Sequence, residues 1–296
     1  MSTHTGTPAD LAELARISER PPVRRRRPGQ LVLTAVVLLL ALWGAAVIAA
    51  NPRFDWPTVG RYLFDVSVGR GIAISLELTV DAMAIGIVLG VLLAVLRRSS
   101  SRVARGAAVL YIWFFRGTPI LVQVLFWGFA AALFPKIGIG LPGGPMLFSV
   151  DTNTAVPLFA AAVLGLGLNE AAYVAEVVRG GLLSVPQGQA EAAHALGLRA
   201  LPTLRHIVLP QALRAIIPPM GNQVINMLKM TSVVLVIGVR DLLGSVTDIY
   251  ARNYHQIALL IVACLWYLFM TSVLTVLQSR LERRLGRGVV REAAHA

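Results

Sequence analysis

Asn222, Asn226 and Lys229 stand at i, i+4 and i+7 within an otherwise apolar stretch, so a helix there carries all three on one face. Polar groups at membrane depth are costly and are kept where they line an interior or meet a partner. That face therefore turns inward, and Lys229, near the middle of the stretch, calls for an acid. Asp81 is the candidate, with Glu77 one turn away on the same face of an earlier apolar run. Glu170, directly after Asn169, is a further carboxylate in an apolar run. It meets either the cationic group of a solute or Arg116, which is placed as a gate or a structural pair near the inner side. Two roles stay open for these residues: lining the path of a solute, or pairing between helices to hold a bundle.

Bond-making chemistry has no comparable support. There is no G-x-S-x-G or H-E-x-x-H motif, and no nucleophile, base and orienting group assemble, so no catalytic residues are assigned. The only lysines, Lys136 and Lys229, do not follow glycine, so a phosphate-cradling loop is absent. Any ATP hydrolysis linked to this chain must occur on another. The lone Cys264 rules out an internal disulfide, and the 5 histidines never fall at His-x-x-x-His spacing, so a metal site is not expected.

The elements that position the polar residues are membrane spans. Hydrophobic residues make up 56% of the sequence, mean hydropathy is +0.70, and several apolar runs are long enough to cross a bilayer. The net charge of +12 raises the question of nucleic acid. The arginines, however, cluster beside apolar runs, as the positive-inside bias requires, with no basic helix or aromatic strand to read bases.

Residues 1–30 are polar and end in Arg24 to Arg27, which predicts a disordered cytoplasmic tail. Residues 31–50 read as a retained first span. The rival is a cleaved signal peptide, suggested by Ala49 and Ala50, but such a peptide has an apolar core of only about 7 to 15 residues. Further spans are expected over 71–96, 107–134, 153–178, from about Ile216, and over 256–277, with 281–296 as an inner tail. The third is interrupted by Gly117-Thr118-Pro119, which marks a kink or a cavity lining. Residues 51–70, 135–152 and 239–254 read as external connections. The expected fold is an all-α integral membrane protein of about six transmembrane helices, both termini inside.

Between the fourth and fifth spans lies an ordered polar stretch, 184–214, on the inner side. Pro186 suits the first turn of a helix, and Gly197 is placed to end it in the left-handed conformation. Alanines between them leave a slim backbone able to press into a cleft on another protein. Glu191 falls in the early turns, where the helix dipole favours a carboxylate.

Glu191-Ala192-Ala193, then Gly197, then Leu209-Pro210, resembles the "EAA" signature of the membrane subunits of binding-protein-dependent ABC importers. Phe115-Arg116-Gly117-Thr118-Pro119 with Gln123, Ala172-Tyr173 with Arg179-Gly180-Gly181, and Pro219-Met220-Gly221-Asn222-Gln223 through Lys229 resemble the polar amino-acid branch. The likeness covers about residues 70–280, the core of that branch has five spans, and the first 55 residues depart from it. The resemblance implies a transmembrane domain over 71–280, paired with a second permease chain that is identical or related. Two cytoplasmic ATPase subunits holding ATP and magnesium would grip the coupling helix, and an external binding protein would deliver the amino acid. It also puts Gln123 beside Glu77, Asp81, Glu170, Asn222, Asn226 and Lys229 as candidates for the substrate pathway. The location implied is the bacterial cytoplasmic membrane. A secondary amino-acid transporter or channel is the alternative, with a membrane-embedded enzyme behind it.

Overall fold

Long apolar runs leave the backbone no water to bond, so they close their hydrogen bonds internally as helices. A computed structural model describes residues 28–140 and 146–286. The N-terminal unit, residues 1–54, contributes α1 (Pro28–Ala50), which is apolar and long enough to cross a membrane. Most of the expected N-terminal tail, and the last ten residues of the C-terminal one, lie outside the described residues.

The second unit holds α2 (Trp56–Tyr62), α3 (Val66–Arg97), α4 (Arg102–Gly117), α5 (Ile120–Gly128) and α6 (Leu158–Leu183). It continues with α7 (Gln187–Ala195), α8 (Leu209–Met230), α9 (Leu242–Asn253) and α10 (Gln256–Gly286). Among the described residues of the whole chain, 5 helices are long and apolar enough to span, and 6 spans result if the bent pair α4–α5 counts as one. The third span is therefore broken, not continuous over 107–134: its halves meet at 100°. Pro119 causes this by forcing Thr118 into an extended conformation (φ −113°, ψ 143°), which stops α4. The stretch 135–152 contains an antiparallel strand pair, β1 (Lys136–Gly140) with β2 (Met146–Asp151). The stretch 239–254 is not a polar loop but the amphipathic helix α9, packed against α3 and α10.

The most extensive helix contact is α3 on α6. It depends on missing side chains: a Cβ at Gly90 would stand 2.5 Å from Val174 Cγ1, and one at Gly86 would stand 2.8 Å from Glu170 Cγ. Small residues let membrane helices approach closely without an interhelical hydrophobic driving force. Leu78, Val124, Leu166 and Met227 fill the core between α3, α5, α6 and α8, whereas Val68, Leu242, Leu259 and Val262 fill a second core around α9 and α10.

Asp241 locks that second core. Fully buried, it caps α9 by accepting from Gly244 N at 2.8 Å, and it accepts from Tyr267 Oη of α10 at 3.0 Å. Ser75 of α3 donates to the same carboxylate at 3.5 Å and accepts from Leu242 N at 3.0 Å. Burial holds the Asp241 carboxyl above the ordinary aspartate range, and these donors oppose the shift.

Candidate functional site: a polar cleft and a short exposed helix

The break between α4 and α5 frees carbonyl groups that must be satisfied inside the protein. Gln123 Nε2 donates to Phe115 O at 3.0 Å and Thr118 O at 3.1 Å, and Asn169 Nδ2 of α6 donates to Phe115 O at 2.9 Å. Asn169 also donates to Gln123 Oε1 at 3.1 Å. Gln123 is thus buried in a cap for the broken helix, and it holds Asn169 in place.

Beside this cap opens a cleft of about 600 Å³. Thr118, Pro119 and Ile120 form its edge at the break; Asn169, Glu170 and Tyr173 line it from α6; Gln223, Asn226, Met227, Lys229 and Met230 line it from α8. Glu170 is 6% exposed and accepts from Gln223 Nε2 at 2.9 Å. Among the described residues it has no cationic partner, and Lys229 has no acidic one. One cleft therefore presents an unpaired carboxylate and an unpaired ammonium.

Several expectations shift. Lys229 does not pair with Asp81: on α3 Glu77 is exposed and Asp81 half-buried, and neither lines the cleft. Arg116 meets Glu176, not Glu170. Glu176 binds Arg97 and Arg179, the latter at 2.7 Å, with Arg116 at 3.6 Å. The Arg116 guanidinium also stands 5.5 Å from the ring centroid of Tyr173, connecting this ion cluster to the cleft. Asn222 turns away from the cleft and accepts from Gln278 of α10 at 3.1 Å. Its neighbour Gln223 takes the cleft position, because one residue turns a helix by about 100°. The sequence signal for Asn169 and Gln223 was available: both are amides in apolar runs, each next to a residue already singled out.

The polar stretch 184–214 contains the short helix α7 and a left-handed glycine after it. Gly197 ends α7 with φ 80°, and its N–H and that of Leu198 donate to His194 O at 2.9 Å and Ala193 O at 3.0 Å. Pro186 stands immediately before α7, one position ahead of the first turn. Glu191 is the middle residue of α7, so the first-turn dipole argument does not apply to it. Glu191 and Ala192 are exposed and Ala193 is buried. Leu196 and Leu201 beside them are 83% and 73% exposed. A π turn over Leu204–Val208 passes into α8 at Leu209, where Pro210, which lacks an N–H, occupies the first turn.

A family model described as "Binding-protein-dependent transport system inner membrane component" matches residues 86–287. The arginine transport system permease protein ArgU of Corynebacterium glutamicum is 41% identical over 288 residues, covering 97% of this chain and 88% of that protein. The glutamine transport system permease protein GlnP of Escherichia coli is 36% identical over 233 residues, covering 79% of this chain and 98% of that protein. The crystal structure of an amino acid ABC transporter with histidines superposes with a TM-score of 0.64 at 34% identity, covering 74% of this chain and 94% of that one.

Proposed function

Since the chain belongs to the family of binding-protein-dependent transport system inner membrane components, we propose that it is the permease subunit of an ATP-driven importer of polar amino acids. The single observation that carries the amino-acid reading is the cleft holding Glu170 and Lys229, each without a countercharge. A solute with an ammonium and a carboxylate supplies both. Glu170 takes its cationic end and Lys229 its carboxylate, with Asn226 and Gln223 as neutral partners. A cationic side chain makes the fullest use of Glu170, and the likeness to an arginine permease supports an arginine-like substrate.

The face of α8 carrying Asn226 and Lys229 is exposed, which at membrane depth calls for a second permease chain, identical or related, to close it. ATP and magnesium are held by two cytoplasmic ATPase subunits that grip α7 through Glu191, Ala192 and Ala193. Gly197 fixes the shape of that helix, and Leu209-Pro210 join it to α8. From Leu209 to Lys229 the helix is continuous, a reach of about 30 Å. Movement of α7 therefore reaches the cleft along this one helix, with Pro218 and Pro219 inside it as the place where it can bend, and alternating access follows. An external binding protein delivers the solute, and both termini lie in the cytoplasm of a bacterial cell.

Reconstitution of the permease with its ATPase and binding protein tests this. Uptake that needs ATP and favours arginine over glutamate and glutamine supports it. Uptake that survives removal of the ATPase would instead establish a secondary transporter, and preference for glutamate would reject the cationic assignment.

A further inference from the structure

On the side opposite the coupling helix, positions far apart in sequence converge on a second cleft, of about 290 Å³. Arg70 enters it from the first turns of α3, Arg240 from the turn before α9, and Arg252 from the last turn of α9, with Ser67, Ser245 and Asp248 between them. Asp248 pairs with Arg240 at 2.7 Å. Arg70 and Arg252 have no ion pair or side-chain hydrogen bond among the described residues and are exposed. The cleft therefore holds two uncompensated guanidiniums.

Two further features set the place apart. In the proposed orientation these arginines lie on the outer side, against the bias that collects basic residues inside, so topology does not account for them. Two residues beyond Arg252, Tyr254 is 88% exposed and held in the left-handed conformation at φ 61°. Its N–H is tied to Tyr250 O at 2.9 Å. A large ring projecting into solvent from a fixed, uncommon backbone conformation, next to free guanidiniums, combines the residue types that dominate protein–protein hot spots.

We propose that the cleft of Arg70, Arg240 and Arg252, flanked by Tyr254, is where an acidic lobe of the external binding protein docks. The inference rests on the importer reading above and deepens it by naming the surface and the charge of the partner. Carboxylates of that lobe pair bidentately with Arg70 and Arg252, while Asp248 holds Arg240 in place and repels a misaligned acid. Asp241 and its partners Ser75 and Tyr267 fix α9 to α3 and α10, so the docking face is rigid and engagement transmits directly to two spanning helices.

The experiment uses the full complex in proteoliposomes, with the arginine-loaded secreted binding protein as the probe and stimulation of ATP hydrolysis as the readout. Sidedness is read separately from Ala251→Cys in a Cys264→Ala background, with a membrane-impermeant maleimide on intact cells. Labelling from outside is expected, and labelling only after permeabilisation would overturn the proposal. For the double variant Arg70→Glu/Arg252→Glu, the half-saturating concentration of binding protein should rise about tenfold or more at low salt. The maximal rate should stay within about twofold, because rim charges act mainly on encounter. The milder Arg70→Gln/Arg252→Gln pair should show a smaller rise, and added salt should weaken docking of the unsubstituted complex more than that of either variant. Half-saturation unchanged in both variants overturns the docking surface alone. Absence of any stimulation in the unsubstituted complex overturns the importer reading and the docking surface with it.

Discussion

The two walls of the membrane cleft differ in how far their polar groups are already satisfied. On the α6 wall, Asn169 is bonded to the broken helix and to Gln123, and Glu170 accepts from Gln223. On the α8 wall, the side chains of Asn226 and Lys229 have no partner among the described residues. Apart from Gln223, which bonds across to Glu170, the α8 wall is left for something that arrives later, a solute or a second chain, whereas the α6 wall is finished by folding. Glu170 belongs to both descriptions, being positioned by the finished wall yet still without a countercharge.

The sharpest way to break the comparison is Glu170→Gln, which keeps the shape and removes the charge. Arginine uptake should fall about 100-fold, equivalent to roughly 2.7 kcal/mol, while the thermal midpoint of the purified complex barely moves. Retained arginine uptake would show that Glu170 serves only the fold. Next, Asn169→Leu leaves the Phe115 carbonyl and Gln123 short of a buried donor and should cost about 1–3 kcal/mol of stability in a denaturation titration. Gly90→Val tests the scaffold behind the finished wall. Its side chain would collide with Val174, and a loss of about 1–3 kcal/mol is expected from overpacking. Lys229→Gln, on the open wall, should leave stability within about 0.5 kcal/mol and raise the half-saturating substrate concentration in uptake assays. If it destabilises as much as Asn169→Leu, the two walls are not different in kind. Smallest of all is Asn222→Ala, which loses one exposed bond to Gln278; uptake should be unchanged within about twofold.

Much of this arrangement was legible from residue types. Apolar length identified the spans because lipid leaves a backbone few alternatives, and Gly197 announced the end of α7 because glycine takes the left-handed conformation of a helix stop without steric cost. Pro119 announced the break in the third span, but not its 100° angle nor the donor that Asn169 of α6 brings to it. The helix α9 was read as a loop because its alternation of Leu242, Ser245 and Ile249 with charged residues is too weak to outweigh the polarity around it. Asn222 was taken for a cleft residue and Gln223 was not, since helical spacing defines a face only to within a residue or so. The ion cluster around Glu176 escaped notice because Arg97, Arg116 and Glu176 meet only in three dimensions.

The cap on the broken third span bears on the order in which the protein is made. Neither α4 nor α5, at 16 and 9 residues, is long enough to enter lipid as an independent span of about 20 residues. One donor that satisfies their junction belongs to α6, which leaves the ribosome later. The cap of the third span is therefore complete only after the fourth is present. A stop codon placed between them would leave α4 and α5 poorly inserted, however apolar their sequence.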